Sequence, residues 1–392
     1  MELARRVQQL PPYLFARISA LIAEQRAKGV DVISFGIGDP DLATPDYILD
    51  SLKRAADVPA NHRYPETEGL PEFREAVARW YARRHGVTLD PQTEVVSLIG
   101  SKEGIGHFPL VLVDPGDSVL ITDPGYPVYE VGTMFCGGES VKVPLTEEDG
   151  WLPRLEDIPE DVARRAKFIW LNYPNNPTGA VADLAFFEQA VAWAKRHDVV
   201  IAHDLAYSEV TFDGYVAPSI LEVPGAREIA IEFNSLSKSF NMTGWRIGMA
   251  VGNATLVDAL RRVKSNLDSG VPQAVQQMAI TALDGPGDSI LAHNEVYRRR
   301  RDRAVEVLRA LGLHVEPPKA SLYIWARLPE GERSSADYAG RLIAQTGVVV
   351  TPGISYGPAG EGYIRLSLTL ADDRVEEGLR RLASFARGEQ VL

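Results

Sequence analysis

Residues 228–251, EIAIEFNSLSKSFNMTGWRIGMAV, set the reading of the chain. An apolar run from Glu228 to Phe233 leads into a loop of hydroxyl and amide residues, and a second apolar run spans Ile247 to Val251. Short runs of this kind, bounded by turn residues, predict buried strands. Between them lies Lys238, in Ser235-Leu-Ser-Lys238-Ser, and Arg246 closes the loop. Taken alone, a loop lysine is an ordinary solvated residue. Held at a strand end in partly desolvated surroundings, it loses its proton readily and can form a Schiff base with a carbonyl. The stretch itself leaves both readings open.

Working outward, strands are predicted near Val95–Ile99, Ser118–Thr122, Phe168–Leu171 and Val199–His203, with helices at Lys102–Val113, Leu184–His197 and Ala254–Asn266. Such alternation predicts an α/β fold with a mostly parallel central sheet. After about Gly285 the pattern changes to a long charged helix ending near Leu311, then two strand-like stretches, Ser321–Ala326 and Gly362–Leu368. The first forty residues hold a helix (Pro12–Lys28) and a strand (Val32–Gly36), too little for a core of their own. The expected organisation is a large α/β domain over 41–285 and a smaller α+β domain built from both chain ends, 1–40 and 286–392.

The chain has 392 residues, 45% of them apolar, which excludes a disordered or collagen-like polymer. Its 41 Lys plus Arg against 53 Asp plus Glu give a net charge of −12, which opposes polyphosphate, so no nucleic-acid partner is expected. The basic run at residues 298–303, RRRRDR, sits in the long helix and reads as a solvated stripe. Cys136 is the single cysteine; it allows no intrachain disulfide and reads as a small buried apolar thiol. The seven His form no H-E-x-x-H or similar spacing, so no metal site is expected. The opening residues lack a signal-peptide core and no apolar run reaches membrane-spanning length, so a cytoplasmic, membrane-free protein is expected.

Polar residues at predicted strand ends are the candidates for chemistry, because open parallel sheets bind ligands at their carboxyl edge. Asp204 ends one strand, with Tyr207 three residues on; a buried aspartate there needs a cationic or hydrogen-bonding partner, or serves as a helix N-cap. Asn176 lies in Asn172-Tyr-Pro-Asn-Asn-Pro-Thr-Gly179, a turn by composition whose place at a strand end lets Asn176 donate to an anionic oxygen. Gly100-Ser101-Lys102 opens a helix whose N–H groups suit a phosphate, though it matches neither the P-loop nor G-x-G-x-x-G. Gly36-Ile-Gly38 fails the same fingerprint because Asp39-Pro40 follows. Arg365, in Gly362-Tyr-Ile-Arg-Leu-Ser-Leu368, is a guanidinium in a half-buried strand, suited either to a carboxylate ligand or to a structural ion pair.

Together these segments resemble the fold-type I, pyridoxal-phosphate-dependent aminotransferases of class I/II. The resemblance rests on Gly36-x-Gly-x-Pro-Asp41, Tyr64 with Gly69-Leu-Pro-x-x-Arg74, Ser101-Lys102, Asp123-Pro-Gly-Tyr126-Pro, Asn176-Pro-Thr-Gly, Asp204-x-x-Tyr207, Ser235-x-Ser-Lys238 with Arg246, and Arg365. In wording, Ser-Leu-Ile-Gly-Ser-Lys-Glu-Gly104 is most similar to the bacterial LL-diaminopimelate aminotransferase group and its aspartate- or alanine-using relatives. The resemblance implies pyridoxal 5'-phosphate held by Lys238 as an internal aldimine, with Lys238 also shuttling the proton at Cα. It implies Asp204 at the pyridinium nitrogen, Tyr207 and Asn176 at the phenolic oxygen, and Tyr126 on the ring face. Ser101, the Lys102 backbone, Ser235, Ser237 and Arg246 are implied for the phosphate, joined by Tyr64 from a neighbouring subunit, hence a homodimer with active sites at the interface. Arg365 and Asn176, with Gly38, are implied for the substrate α-carboxylate, and Tyr13, Lys102 and Tyr126 for the rest of the substrate.

The activity so implied is ping-pong transamination between an L-amino acid and a 2-oxo acid such as 2-oxoglutarate. Candidate donors are LL-diaminopimelate, aspartate and alanine, and Glu66 or Glu68 is a candidate partner for a distal ammonium. Two other activities fit the same motifs: β-elimination on a cysteine conjugate, and a ligand-sensing regulator on an aminotransferase-like domain. The regulator is disfavoured because the family motifs begin by Gly36.

Overall fold

The computed structural model describes residues 2–10 and 14–389. Its strands are β1 (Ile33–Ser34), β2 (Val95–Leu98), β3 (Ser118–Asp123), β4 (Glu139–Pro144), β5 (Ala166–Asn172), β6 (Val200–Asp204), β7 (Ala230–Ser235), β8 (Gly248–Gly252), β9 (His314–Val315), β10 (Tyr323–Arg327), β11 (Val348–Val349), β12 (Thr351–Pro352) and β13 (Tyr363–Ser367). Seven of them form one sheet in the order β2-β8-β7-β6-β5-β3-β4. Only β8 runs against its neighbours; the remaining pairs are parallel. The carboxyl ends of β2, β3, β5, β6 and β7 therefore open on one edge. Asn172 faces Asp204 across β5 and β6 there.

Strands β2, β3, β7 and β8 are buried along their whole length. Helices cover both faces, which is why these strands read as continuous apolar runs rather than alternating ones. On one face Phe108, Phe168, Trp170 and Phe233 meet edge-on or tilted, with ring centroids 5.1–6.0 Å apart. Each such ring, fully buried, contributes about 1.5–3 kcal/mol. The other face packs Phe73, Tyr81, Phe187 and Met278. The helix Leu184–His197 shows how local chemistry sets an element's ends. The Asp183 side chain accepts from the Phe186 N–H at its start, and Lys195, Arg196 and His197 complement the carbonyl end.

A second, four-stranded sheet runs β12-β13-β10-β9 and packs a separate core of Leu308, Ile324, Leu366 and Leu379. The strand β1 pairs with β11, and Phe35 O accepts from Ser367 N. No helix among the described residues is long and apolar enough to cross a membrane.

Several expectations need correction. The helix expected over Lys102–Val113 is two, Ser101–His107 and Pro109–Leu112, because Pro109 lacks the N–H that would continue the ladder. The strand expected from Glu228 starts at Ala230, since Ala226–Glu228 form a 3-10 turn behind Gly225. The edge strand β4, largely exposed and carrying charge, was not anticipated. Cys136 is partly exposed at a helix end rather than buried. In the basic run, Arg300 and Arg301 are buried, not solvated. Arg300 bonds Asp41, Asp372 and Leu368 O, and Arg301 bonds Asp213, Asp302 and Pro318 O.

One polar network lies wholly inside. Glu232, on β7, accepts from Tyr81 Oη at 2.7 Å, Ser219 Oγ at 2.8 Å and Ile220 N at 3.1 Å, and lies 2.8 Å from His203 Nδ1. Burial pushes its carboxyl up, but the His203 hydrogen bond and charge, with His85 and Tyr81, hold it below the usual glutamate value. Glu232→Ala should leave these donors unpaired and cost about 3–5 kcal/mol in urea denaturation. A loss under 1 kcal/mol would show that the network is not needed for stability.

Candidate active site

The loop after β7 turns into a short helix, Leu236–Ser239, because the Ser235 side chain caps it by accepting from Ser237 N. This turn delivers Lys238 to a cavity of about 370 Å³ at the sheet's carboxyl edge. The cavity also takes Gly38, Ser101, Lys102, Tyr126, Asn176, Asp204, Tyr207, Ser235, Ser237 and Arg246. Residues widely separated in sequence thus converge on one space, each from a strand end or the loop after it.

Asp204 occupies the cavity floor and is buried. Its Oδ2 accepts from Tyr129 Oη at 2.8 Å and its Oδ1 from Ala206 N at 3.3 Å. Burial pushes its carboxyl up to about 6, partly opposed by the Tyr129 hydrogen bond and the charge of His203. Tyr129 itself stacks on Trp170 at 4.7 Å, so the donor is fixed. Asn172 braces the same corner, donating to Asp204 O at 2.8 Å and accepting from Asn176 N at 2.8 Å.

Lys238 Nζ donates to Gly38 O at 2.8 Å. Burial lowers its pKa, with Arg246 and Arg365 acting in the same direction and Tyr323 and Asp39 against it. An amine of this kind reaches its neutral, nucleophilic form more easily than a surface lysine. Also lining the cavity, Arg246 donates to Thr243 O at 2.8 Å. Gly100 has φ +73, and a methyl there would overlap Arg246 Nη2, so the glycine is what lets the guanidinium lie against the loop.

Arg365 does not line the cavity. It is 0% exposed and donates to Asn176 Oδ1 at 2.8 Å and to Gly36 O at 2.9 Å, while its Nε is buried with no hydrogen-bond partner. No salt bridge of the described residues includes it, so the structural ion pair weighed for it is not formed. Tyr64 is 89% exposed and lies at a separate concavity with Asn61 and Gly270, outside the cavity of its own chain. Glu66 and Glu68 line neither space. Tyr13 falls outside the described residues. Glu103, His107 and Asp268 stand together, but Lys264 Nζ bonds Glu103 at 2.6 Å and Asp268 at 3.0 Å and fills the cluster with its own charge.

Polar residues of the site that were not singled out from sequence include Tyr323, Thr243 and Asn172 in the cavity wall and Tyr129 beside Asp204. A larger cavity of about 930 Å³ adjoins this one through Lys102, Tyr126 and Arg246 and continues past Asp123, Glu130, Lys142 and Tyr356.

Comparison with known proteins gives consistent results. The family model described as aminotransferase class I and II matches residues 30–382. A protein of Dehalococcoides mccartyi named LL-diaminopimelate aminotransferase is 60% identical over 385 residues, covering 98% of this chain and 99% of that one. A protein of the same name from Moorella thermoacetica is 56% identical over 382 residues, 97% and 98% of the two chains. The solved structure of substrate-bound BacF from Bacillus subtilis superposes with a TM-score of 0.94 at 35% identity, covering 98% of each chain.

The raised Asp204 pKa carries a sign. In the ligand-free protein the folded state binds this proton more tightly than the unfolded one. The penalty is therefore absent below pH 3.8, grows as pH rises, and is complete above about pH 6. Asp204→Asn should then stabilise the ligand-free protein at pH 8 by up to about 3 kcal/mol and have little effect at pH 4. Thermal unfolding at both pH values tests this; an equal effect at each would refute the assignment.

Proposed function

The chain belongs to the class I and II aminotransferases, fold-type I enzymes that depend on pyridoxal phosphate, and from that premise we propose that its substrate pair is LL-diaminopimelate and 2-oxoglutarate, handled in a ping-pong cycle. The observation that carries the substrate is the name shared by relatives 60% and 56% identical across almost the whole chain. The observation that carries the residue roles is the meeting of a buried amine, a buried carboxylate and a cluster of hydroxyls with a guanidinium in one cavity.

The donor set fits the cofactor. Bound pyridoxal phosphate supplies an aldehyde carbon and a ring that takes up the electrons released at the substrate Cα. Ser101, Ser235 and Ser237 hydroxyls, the Lys102 backbone N–H and the Arg246 guanidinium offer a phosphate the neutral and charged donors it needs. Asp204 suits the ring nitrogen: bonded by a phenol and an amide but by no cation of the described residues, its carboxylate gains most from a protonated base placed beside it. Tyr207 and Asn176 are assigned to the phenolic oxygen and Tyr126 to the ring face.

Lys238 does the proton work. With a pKa below that of a surface lysine, its Nζ can take a proton from the substrate Cα and return it on the other side of the transfer. Asn176 and Arg365, with the Gly38 backbone, receive the α-carboxylate; the fork of Arg365 is already aimed by Asn176. Tyr13, Lys102 and Tyr126 are assigned to the rest of the substrate. Tyr64 of the partner subunit completes the phosphate site, which makes the working unit a homodimer and accounts for an 89% exposed tyrosine.

Two experiments test the reading. Among LL-diaminopimelate, aspartate, alanine, glutamate and aromatic amino acids added singly to the loaded enzyme, LL-diaminopimelate should shift the cofactor absorbance fastest with stoichiometric loss of its amino group. No shift with it, or steady pyruvate release from cystathionine instead, would reject the substrate. Lys238→Ala should fold and lose at least about 10³-fold in turnover; a variant of normal activity would reject its role.

A further inference from the structure

Tyr323 was invisible to the sequence reading, yet it lies at the centre of the substrate side. It starts β10 and sits diagonally across from Arg365 on β13, since Tyr323 pairs with Ser367 and Trp325 with Arg365. Diagonal neighbours on one face of an antiparallel pair are within reach when one is aromatic and the other long. The Arg365 guanidinium carbon lies 3.9 Å from the Tyr323 ring centroid and 4.9 Å from that of Tyr356. On its cavity side, Tyr323 Oη accepts from Tyr207 Oη at 3.1 Å. A methyl group on Gly38 would overlap this hydroxyl, so the strand-to-loop segment Gly36–Gly38 packs directly on it.

We propose that Tyr323 is the positioning residue of the carboxylate site: its ring holds Arg365 in place for the substrate carboxylate. The inference rests on the reading of Arg365 as the carboxylate's partner and adds what keeps it there. A guanidinium with no carboxylate of its own, buried beside ring faces, draws its stabilisation from their negative quadrupoles, and the ring plane fixes the plane of the fork. The hydroxyl agrees with this placement. Burial alone would raise its pKa, but the Arg365 and Lys238 charges, with the Tyr207 hydrogen bond, hold it below the ordinary tyrosine value.

The test separates ring from hydroxyl and needs no turnover. Hexanoate, a carboxylate without an amino group, is titrated calorimetrically into the loaded wild-type enzyme, Tyr323→Phe, Tyr323→Leu and Arg365→Lys, each checked for folding by circular dichroism. Tyr323→Leu should weaken hexanoate at least tenfold, as Arg365→Lys does, while Tyr323→Phe stays within twofold. Should the leucine variant not fold, Tyr323→Met, which fills the space without a ring face, is read in its place. Wild-type affinity in the ringless variant alongside a weakened Arg365→Lys would overturn this inference alone. Wild-type affinity in Arg365→Lys as well would overturn the reading of Arg365 beneath it.

Discussion

A carboxylate buried at the end of β6 with no cation of the described residues bonded to it is the constraint around which the cavity is arranged. Asp204 is held by Tyr129 and a backbone amide, and burial lifts its pKa to about 6. Such a group is costly to keep ionised unless a positive charge arrives, so the protein maintains a place for one. Its neighbours follow from that. Tyr129 is fixed by its stack on Trp170, Asn172 ties the β5 and β6 ends together, and Lys238 enters from β7. The parallel sheet is what makes this convergence cheap, because consecutive strands deliver their last residues to one edge.

The second constraint is the treatment of Arg365. Most buried arginines here are neutralised directly: Arg300 by Asp41 and Asp372, Arg301 by Asp213 and Asp302. Arg365 instead meets an amide, a carbonyl and two aromatic rings, and keeps one donor unpaired. The same side chain chemistry thus serves structure in one place and, in the proposed function, receives a substrate anion in another. The difference lies in whether the fold supplies a carboxylate.

Much of this was legible in the sequence because strand ends in an α/β sheet announce themselves: an apolar run stops, and a polar residue follows. Lys238, Asp204, Asn176 and Ser101 all stand at such stops, and each lines the cavity. Residues inside regular elements were harder to read, Arg365 on β13 being the exception. Tyr323 reads as one more apolar position in a strand, and Tyr129 lies buried in Val128–Phe135, a helix not expected from the sequence. Arg300 and Arg301 looked solvated because their partners, Asp41, Asp372 and Asp213, are far away in sequence. The strand β4 escaped for the opposite reason, since an edge strand carries the charges and exposure of a loop. Tyr64, prominent in sequence, lies outside the cavity of its own chain, which agrees with the proposed contribution to a second copy.

The Lys238 amine is the group proposed to bond the cofactor aldehyde. Borohydride reduction of the fully loaded enzyme, followed by peptide mass spectrometry, reads this directly. The predicted result is a single pyridoxyl phosphate adduct on Lys238; an adduct on another lysine, or an unmodified Lys238 peptide from saturated protein, would contradict it.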